Sequence, residues 1–181
     1  MIPHGPIYIP HDLSTLVGIS YRQVGYWDNT GFLKPSYKKK ERFRMYTFMD
    51  MFDAHIAKSL LDDNVSIQRQ RSIMKSLHDL RQQWKGTFYE AKVLITNLHK
   101  RDKNGYHPSI FLYNREVVHN YTNPWEAPLK FHPKKFLLKR VFEELEKGTL
   151  SKYARDAHTT ELLELGWKSL AEAKETLEAG A

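Results

Sequence analysis

Cysteine is absent from this 181-residue chain, which excludes disulfides, thiolate metal sites and cysteine nucleophiles, and fits a reducing compartment. No apolar run approaches the ~18 residues that a bilayer-spanning helix needs, so no membrane association is expected. Met1-Ile2-Pro3-His4-Gly5-Pro6 lacks the apolar core of a secretory signal, and a cytoplasmic location is the expectation. Also missing are a phosphate-cradling glycine loop, a His-Glu-Xaa-Xaa-His pair and a nucleophile–base spacing, so neither catalytic residues nor a cofactor is expected. Acidic residues are the minority: 21 Asp and Glu face 28 Lys and Arg, a net charge of +7. That balance favours an anionic partner, nucleic acid first.

A 41% hydrophobic and 27% charged composition belongs to a globular protein with room for one substantial domain or two small ones. Up to Lys85 there are 13 Lys and Arg against 8 Asp and Glu; beyond it, 15 against 13. The positive surplus therefore sits in the front half.

Pro10 suits the first position of a helix, and Leu13, Leu16 and Val17 share one face of it. Gly18 can supply a left-handed stop, and Ser20 can cap a second helix in which Val24 and Trp27 turn inward. Tyr21, Arg22, Gln23 and Tyr26 are left outside, near the N-terminal end, where a groove-inserted helix carries its base and phosphate contacts. Helical hairpins also serve as plain packing units, so spacing alone leaves both readings open. Asn29-Thr30-Gly31 ends the second helix, and Lys34-Pro35 opens an extended segment. In a following ribbon, Phe43 and Met45 alternate with Arg42, Arg44 and Tyr46, which predicts an apolar underside and a basic, phenolic outer face. Lys38, Lys39 and Lys40 would form its tip. Thr47 with Asp50 can cap a third helix buried through Met49, Phe52, Ile56 and Leu60. Ser66 can cap a fourth, buried through Ile73, Leu77, Leu80 and Trp84 and stopping at Gly86.

With Gly18-Ile19-Ser20, Arg22, Tyr26-Trp27-Asp28, Gly31-Phe32-Leu33-Lys34-Pro35, Phe43-Arg44-Met45-Tyr46 and Thr47 in this order, the segment from Ile7 to Leu80 resembles the MerR family of winged helix-turn-helix transcription regulators. The resemblance implies DNA contacts from Arg22, Tyr26, Arg44 and Tyr46, with Tyr21 and Gln23 tuning sequence preference. Ser20, Lys34, Lys38, Lys39, Lys40 and Arg42 complete the expected DNA-binding set. Gly25 stands where the family usually has arginine, and glycine loosens a helix by up to about 1 kcal/mol relative to alanine. Arg42 replaces the usual wing glycine. The long antiparallel dimer helix typical of the family does not begin after Gly86, and the family's thiolate metal sensing is excluded by chemistry.

Further on, Lys92–Leu98 and Ile110–Tyr113 read as strands flanking an Asn104-Gly105 turn, with a third strand near Val117–His119. Pro124, Pro128 and Pro133 punctuate a loop. A helix from Pro133 to Lys147 buries Leu138, Val141, Phe142 and Leu145 and ends at Gly148. A last helical stretch carries Leu163, Trp167, Leu170 and Leu177, with Ser169 and Glu172 as a capping box. Tyr106, Phe111, Tyr113, Tyr121 and Trp125 fit a small core better than a ligand pocket. His99, His107, His119 and His132 match no metal-ligand spacing, so no metal is expected.

The expected fold is mainly α with small β elements: a winged helix-turn-helix over 1–85 and a C-terminal α+β domain over 86–181 for dimerisation, effector or partner binding. The expected function is sequence-specific transcription regulation on double-stranded DNA, as a homodimer, with RNA polymerase as a possible protein partner. Two alternatives stay open: an accessory or architectural DNA-binding protein of excisionase or partition type, and a protein-interaction domain that no longer binds DNA.

Overall fold

A computed structural model describes residues 5–39, 43–83, 92–96, 101–103, 105–106, 109–113, 129–131, 133–164 and 175. In chain order the elements are α1 (Pro10–Val17), α2 (Tyr21–Asn29), β1 (Tyr37–Lys39), β2 (Phe43–Met45), α3 (Phe48–Asp62), α4 (Ile67–Gln83), β3 (Lys92–Thr96), β4 (Arg101–Asp102), β5 (Gly105–Tyr106), β6 (Ser109–Tyr113), β7 (Leu129–Phe131), α5 (Pro133–Lys147) and α6 (Lys152–Glu164). The fold is thus mainly helical with small antiparallel sheets, as the sequence predicts. The chain groups into two compact units, residues 1–55 with 135–181, and residues 56–134, the division falling within α3. The expected domain boundary after Lys85 lies outside the described residues.

In the first unit, α1 starts at Pro10, and Leu13, Leu16 and Val17 are buried. Gly18 closes it at φ 77°, a left-handed conformation that a side chain would strain. The Ser20 hydroxyl then accepts the Gln23 N–H at 3.0 Å and starts α2. Val24 and Trp27 face the core, and Trp27 packs on Phe32 with ring centroids 5.3 Å apart. Thr47 and Asp50 exchange side-chain to backbone hydrogen bonds of 3.2 and 2.7 Å, a capping box that opens α3. Phe52 is buried along α3 as expected, joined by Phe48 and Met51, while Met49 is half-buried; the buried Ile56, further along α3, falls in the second unit.

The C-terminal helices α5 and α6 belong to this same unit. Leu137, Val141 and Phe142 are buried, whereas Leu138 and Leu145 are half-buried. Arg140 Nη2 donates to the Thr15 carbonyl at 3.0 Å, satisfying one of the orphan acceptors in the last turn of α1. His11 Nε2 donates to the Thr149 carbonyl at 3.2 Å. Asp12 is fully buried near the start of α1. It accepts the Ile9 N–H at 2.9 Å, the Ser151 N–H at 2.7 Å and the Ser151 hydroxyl at 2.6 Å. One carboxylate therefore caps α1 and also holds the residue that caps α6. Deeper in, the Tyr8 hydroxyl and His158 Nε2 share a buried hydrogen bond of 2.6 Å. At the α5–α6 turn, hydrogen bonds from Lys147 and then Thr149 hold the Glu144 carboxyl below its usual range.

In the second unit, Leu60 of α3 is buried, and α4 opens at Ile67, just after Ser66, with Ile73 and Leu77 buried. Leu80's side chain, Trp84 and Gly86 lie outside the described residues. β3 is the centre of a three-stranded antiparallel sheet ordered β6-β3-β7, and Ile95 is buried in it. The stretch between Pro124 and Pro133, expected as loop, contains β7. Its Val93↔Phe131 and Ile95↔Leu129 pairings show that the prolines flank a strand instead of interrupting one. The strand expected near Val117–His119, the histidines His99, His107, His119 and His132, Tyr121, Trp125, Trp167, Leu170, Leu177 and the Ser169–Glu172 cap lie outside the described residues. So do the side chains of Tyr106, Phe111, Tyr113 and Leu163.

Candidate nucleic-acid interface

The surface around α2 is built from its first turn, its exposed face and the ribbon β1–β2. Tyr21, Arg22 and Tyr26 are exposed, and Gln23 is half-buried. The cap at Ser20 fixes where these side chains begin, and the buried Val24 and Trp27 fix the helix's rotation. Gly31 turns the chain at φ 68° after α2, leaving Lys34 exposed. A Cβ placed at Gly25 would meet nothing within 4 Å, so no close approach demands glycine there.

The ribbon pairs Tyr37 with Met45, Lys38 with Arg44 and Lys39 with Phe43. Its far end is tied back to the start of the chain. The Ile7 and Tyr8 N–H groups both donate to the Tyr46 carbonyl at 3.0 Å, and the Tyr46 N–H donates to the Tyr8 carbonyl at 2.7 Å. Two cations directly opposite each other, Lys38 and Arg44, would repel. A third charge resolves this: Lys38 Nζ and Arg44 Nη1 each lie 3.2 Å from the same Asp28 oxygen. Asp28 is in the last turn of α2, where an acid opposes the helix dipole. Its carboxylate is tolerated there because it joins α2 to the ribbon. The Asp28 side chain is only 5% exposed and that of Arg44 19%, against 40% for Lys38. Arg44 is therefore an internal strut, while Lys38 keeps a face to solvent.

This corrects the expected outer face of the ribbon. Tyr46 is fully buried; its hydroxyl has the Arg44 guanidinium as a weak neighbour, and neither it nor Arg44 Nε makes a well-formed hydrogen bond among the described residues. Burial pushes the Tyr46 phenol up to about 12, with the adjacent Arg44 charge pulling the other way. Phe43, expected on the underside, is 38% exposed. The alternation is real but its polarity is reversed at these positions, because Asp28 offers Arg44 a charged partner that no period-two pattern encodes. Of the expected set, Ser20, Tyr21, Arg22, Gln23, Tyr26, Lys34, Lys38 and Lys39 share this region. Lys40 and Arg42 lie outside the described residues. Asp28, visible in the sequence only as part of the Tyr26-Trp27-Asp28 motif, is the added member of this site. An acid at the wrong end of a short helix was the available signal.

No group of three or more His, Asp or Glu side chains able to hold a metal occurs among the described residues, and no described helix is long and apolar enough to cross a membrane. Comparison with known proteins finds no match among curated proteins. Residues 8–77, from Tyr8 to Leu77, match the family model of the MerR HTH family regulatory protein.

Proposed function

We propose, from the premise that residues 8–77 are a MerR-family helix-turn-helix domain, that this protein is a sequence-specific transcription regulator binding double-stranded DNA as a homodimer. Regulators of this family bind DNA and are not enzymes. The observation that carries the reading is the junction at Asp28, which joins a helix with an exposed polar end to a basic ribbon. In this reading α2 enters the major groove. Arg22 and Gln23 read base edges there, and Tyr21 and Tyr26 reach phosphates. Lys34, Lys38 and Lys39 neutralise the backbone, with Lys40 and Arg42 extending the same ribbon in sequence. Arg44 acts by holding the ribbon in register with α2, and Tyr46 by filling the core beneath it. Dimerisation would present two α2 helices to a pseudo-palindromic site in the cytoplasm.

The test is selection of preferred sites from random DNA by the full chain, followed by titration over a salt series. An enriched inverted repeat is expected. Arg22→Ala should cost about 1–3 kcal/mol on each half-site and relax its sequence preference. Lys39→Ala should weaken binding to all sequences alike and make the log–log salt slope shallower by about 0.9 per bound protomer, about 1.8 for the dimer. Direct repeats or weak preference would favour the accessory, architectural reading. Failure to bind any duplex at low salt would remove the DNA-binding reading altogether.

A further inference from the structure

The fold brings the first turn of α6 beside the ribbon, although the two are far apart in sequence. Tyr153 meets Phe43 edge-on, with ring centroids 6.1 Å apart and planes at 70°. Both rings remain partly open to solvent, Phe43 at 38% and Tyr153 at 52%. Next to Tyr153 on the same helix, Lys152 and Arg155 are exposed, with the exposed Asp156 as an opposing charge; Lys38 and Lys39 are exposed across on β1. The position of α6 is set by buried contacts, Asp12 with Ser151 and Tyr8 with His158, so these side chains stand on a fixed platform. The backbone at the start of α6 is not the device, because Asp12 already accepts the Ser151 N–H.

We infer that the first turn of α6 is a further DNA-contacting surface, continuous with the ribbon. Lys152 and Arg155 hold phosphates next to those held by Lys38 and Lys39. The Phe43–Tyr153 pair lies along the sugar–phosphate edge, where the Tyr153 hydroxyl donates to a phosphate oxygen. The partner is DNA because the charge is positive, the aromatic pair is mixed apolar and phenolic, and the patch adjoins the ribbon that the proposed function sets on phosphates. The inference rests on that reading. It adds that affinity is divided between the helix-turn-helix and a helix from the far end of the chain.

The experiment uses the full chain and a random-sequence duplex of about 30 base pairs, titrated over a salt series, with Lys39→Ala as the reference for a ribbon contact. Lys152→Ala/Arg155→Ala should make the salt slope shallower by up to about 1.8 per bound protomer, since each lost phosphate contact removes about 0.9. Tyr153→Phe should weaken binding about two- to threefold with little change in slope. Lys152→Arg/Arg155→Lys should restore the slope, which a general loss of folding would not allow. If Lys39→Ala lowers the slope and the double alanine variant does not, α6 makes no DNA contact and the inference is wrong while the function stands. If the unaltered chain shows no salt-dependent binding, both fall together.

Discussion

Asp28 and Tyr46 separate two roles that the basic ribbon combines. Asp28 draws Arg44 inward and leaves Lys38 and Lys39 as the outward charges, so of these three cations the two lysines are the ones that the proposed function sets on phosphates. Tyr46 shares the inward side, where its buried hydroxyl has the neighbouring Arg44 guanidinium as its one weak partner and makes no well-formed hydrogen bond among the described residues. A buried hydroxyl left wholly unsatisfied costs about 1–3 kcal/mol, and one weakly paired costs less. Tyr46→Phe removes it while keeping the ring, so stability should hold level or rise by about 1 kcal/mol in urea melts. DNA affinity and its salt slope should be unchanged; a loss of affinity would put the hydroxyl on DNA. The variant should also alter the alkaline limb. Below pH 10 the phenol is protonated whether folded or unfolded. Between 10 and about 12 the unfolded chain releases its proton first, so this group's contribution to stability falls as pH rises. Tyr46→Phe abolishes that share of the slope, which denaturant midpoints measured across that range would show.

The elements that local chemistry specifies were legible in the sequence. Pro10, Gly18, Ser20 and Thr47 start and stop helices through their own backbone and side-chain properties. Leu13, Leu16, Val24, Trp27, Phe52 and Ile56 recur at helical spacing because one face is buried. What escaped were features made by residues distant in the chain. β7 exists because β3 offers it an edge, and the ribbon's polarity is set by Asp28 across a turn. The seating of α6 on α1 depends on Asp12, whose sequence signal is that of an ordinary first-turn acid. That last contact can be tested at the level of the two helices. Asp12→Ala leaves the Ile9 and Ser151 N–H groups without their acceptor and removes the cap linking α1 to α6. A destabilisation of about 3 kcal/mol is expected by denaturant unfolding, since buried donors left unpaired cost about 1–3 kcal/mol each. Asp12→Asn keeps one acceptor oxygen and should lose less. If alanine costs no more than a surface substitution, about 0.5 kcal/mol, α6 is not anchored through this carboxylate.

For the molecule as a whole, the family match ends at residue 77, yet the compact unit that contains most of it also takes in residues 135–181. Tyr8, His11, Asp12 and Thr15 all find hydrogen-bond partners on α5, α6 or the turn between them. A fragment ending at residue 85 would retain the complete helix-turn-helix and ribbon. It would also leave the buried Tyr8 hydroxyl and Asp12 carboxylate without their distant partners and expose the apolar surface that Leu137, Val141 and Ala154 help to cover. The fragment is therefore expected to unfold at a clearly lower urea concentration than the full chain. Added DNA should recover part of the difference, because a ligand that binds only the folded state stabilises it by mass action. Sedimentation of both forms, alone and with a selected site, would show whether two copies still assemble on one duplex. Equal unfolding midpoints for fragment and full chain would mean that α5 and α6 merely rest on a self-sufficient domain. A lower midpoint with DNA rescue would mean that the C-terminal helices complete the fold of the DNA-binding unit and thereby set how much of it is competent to bind.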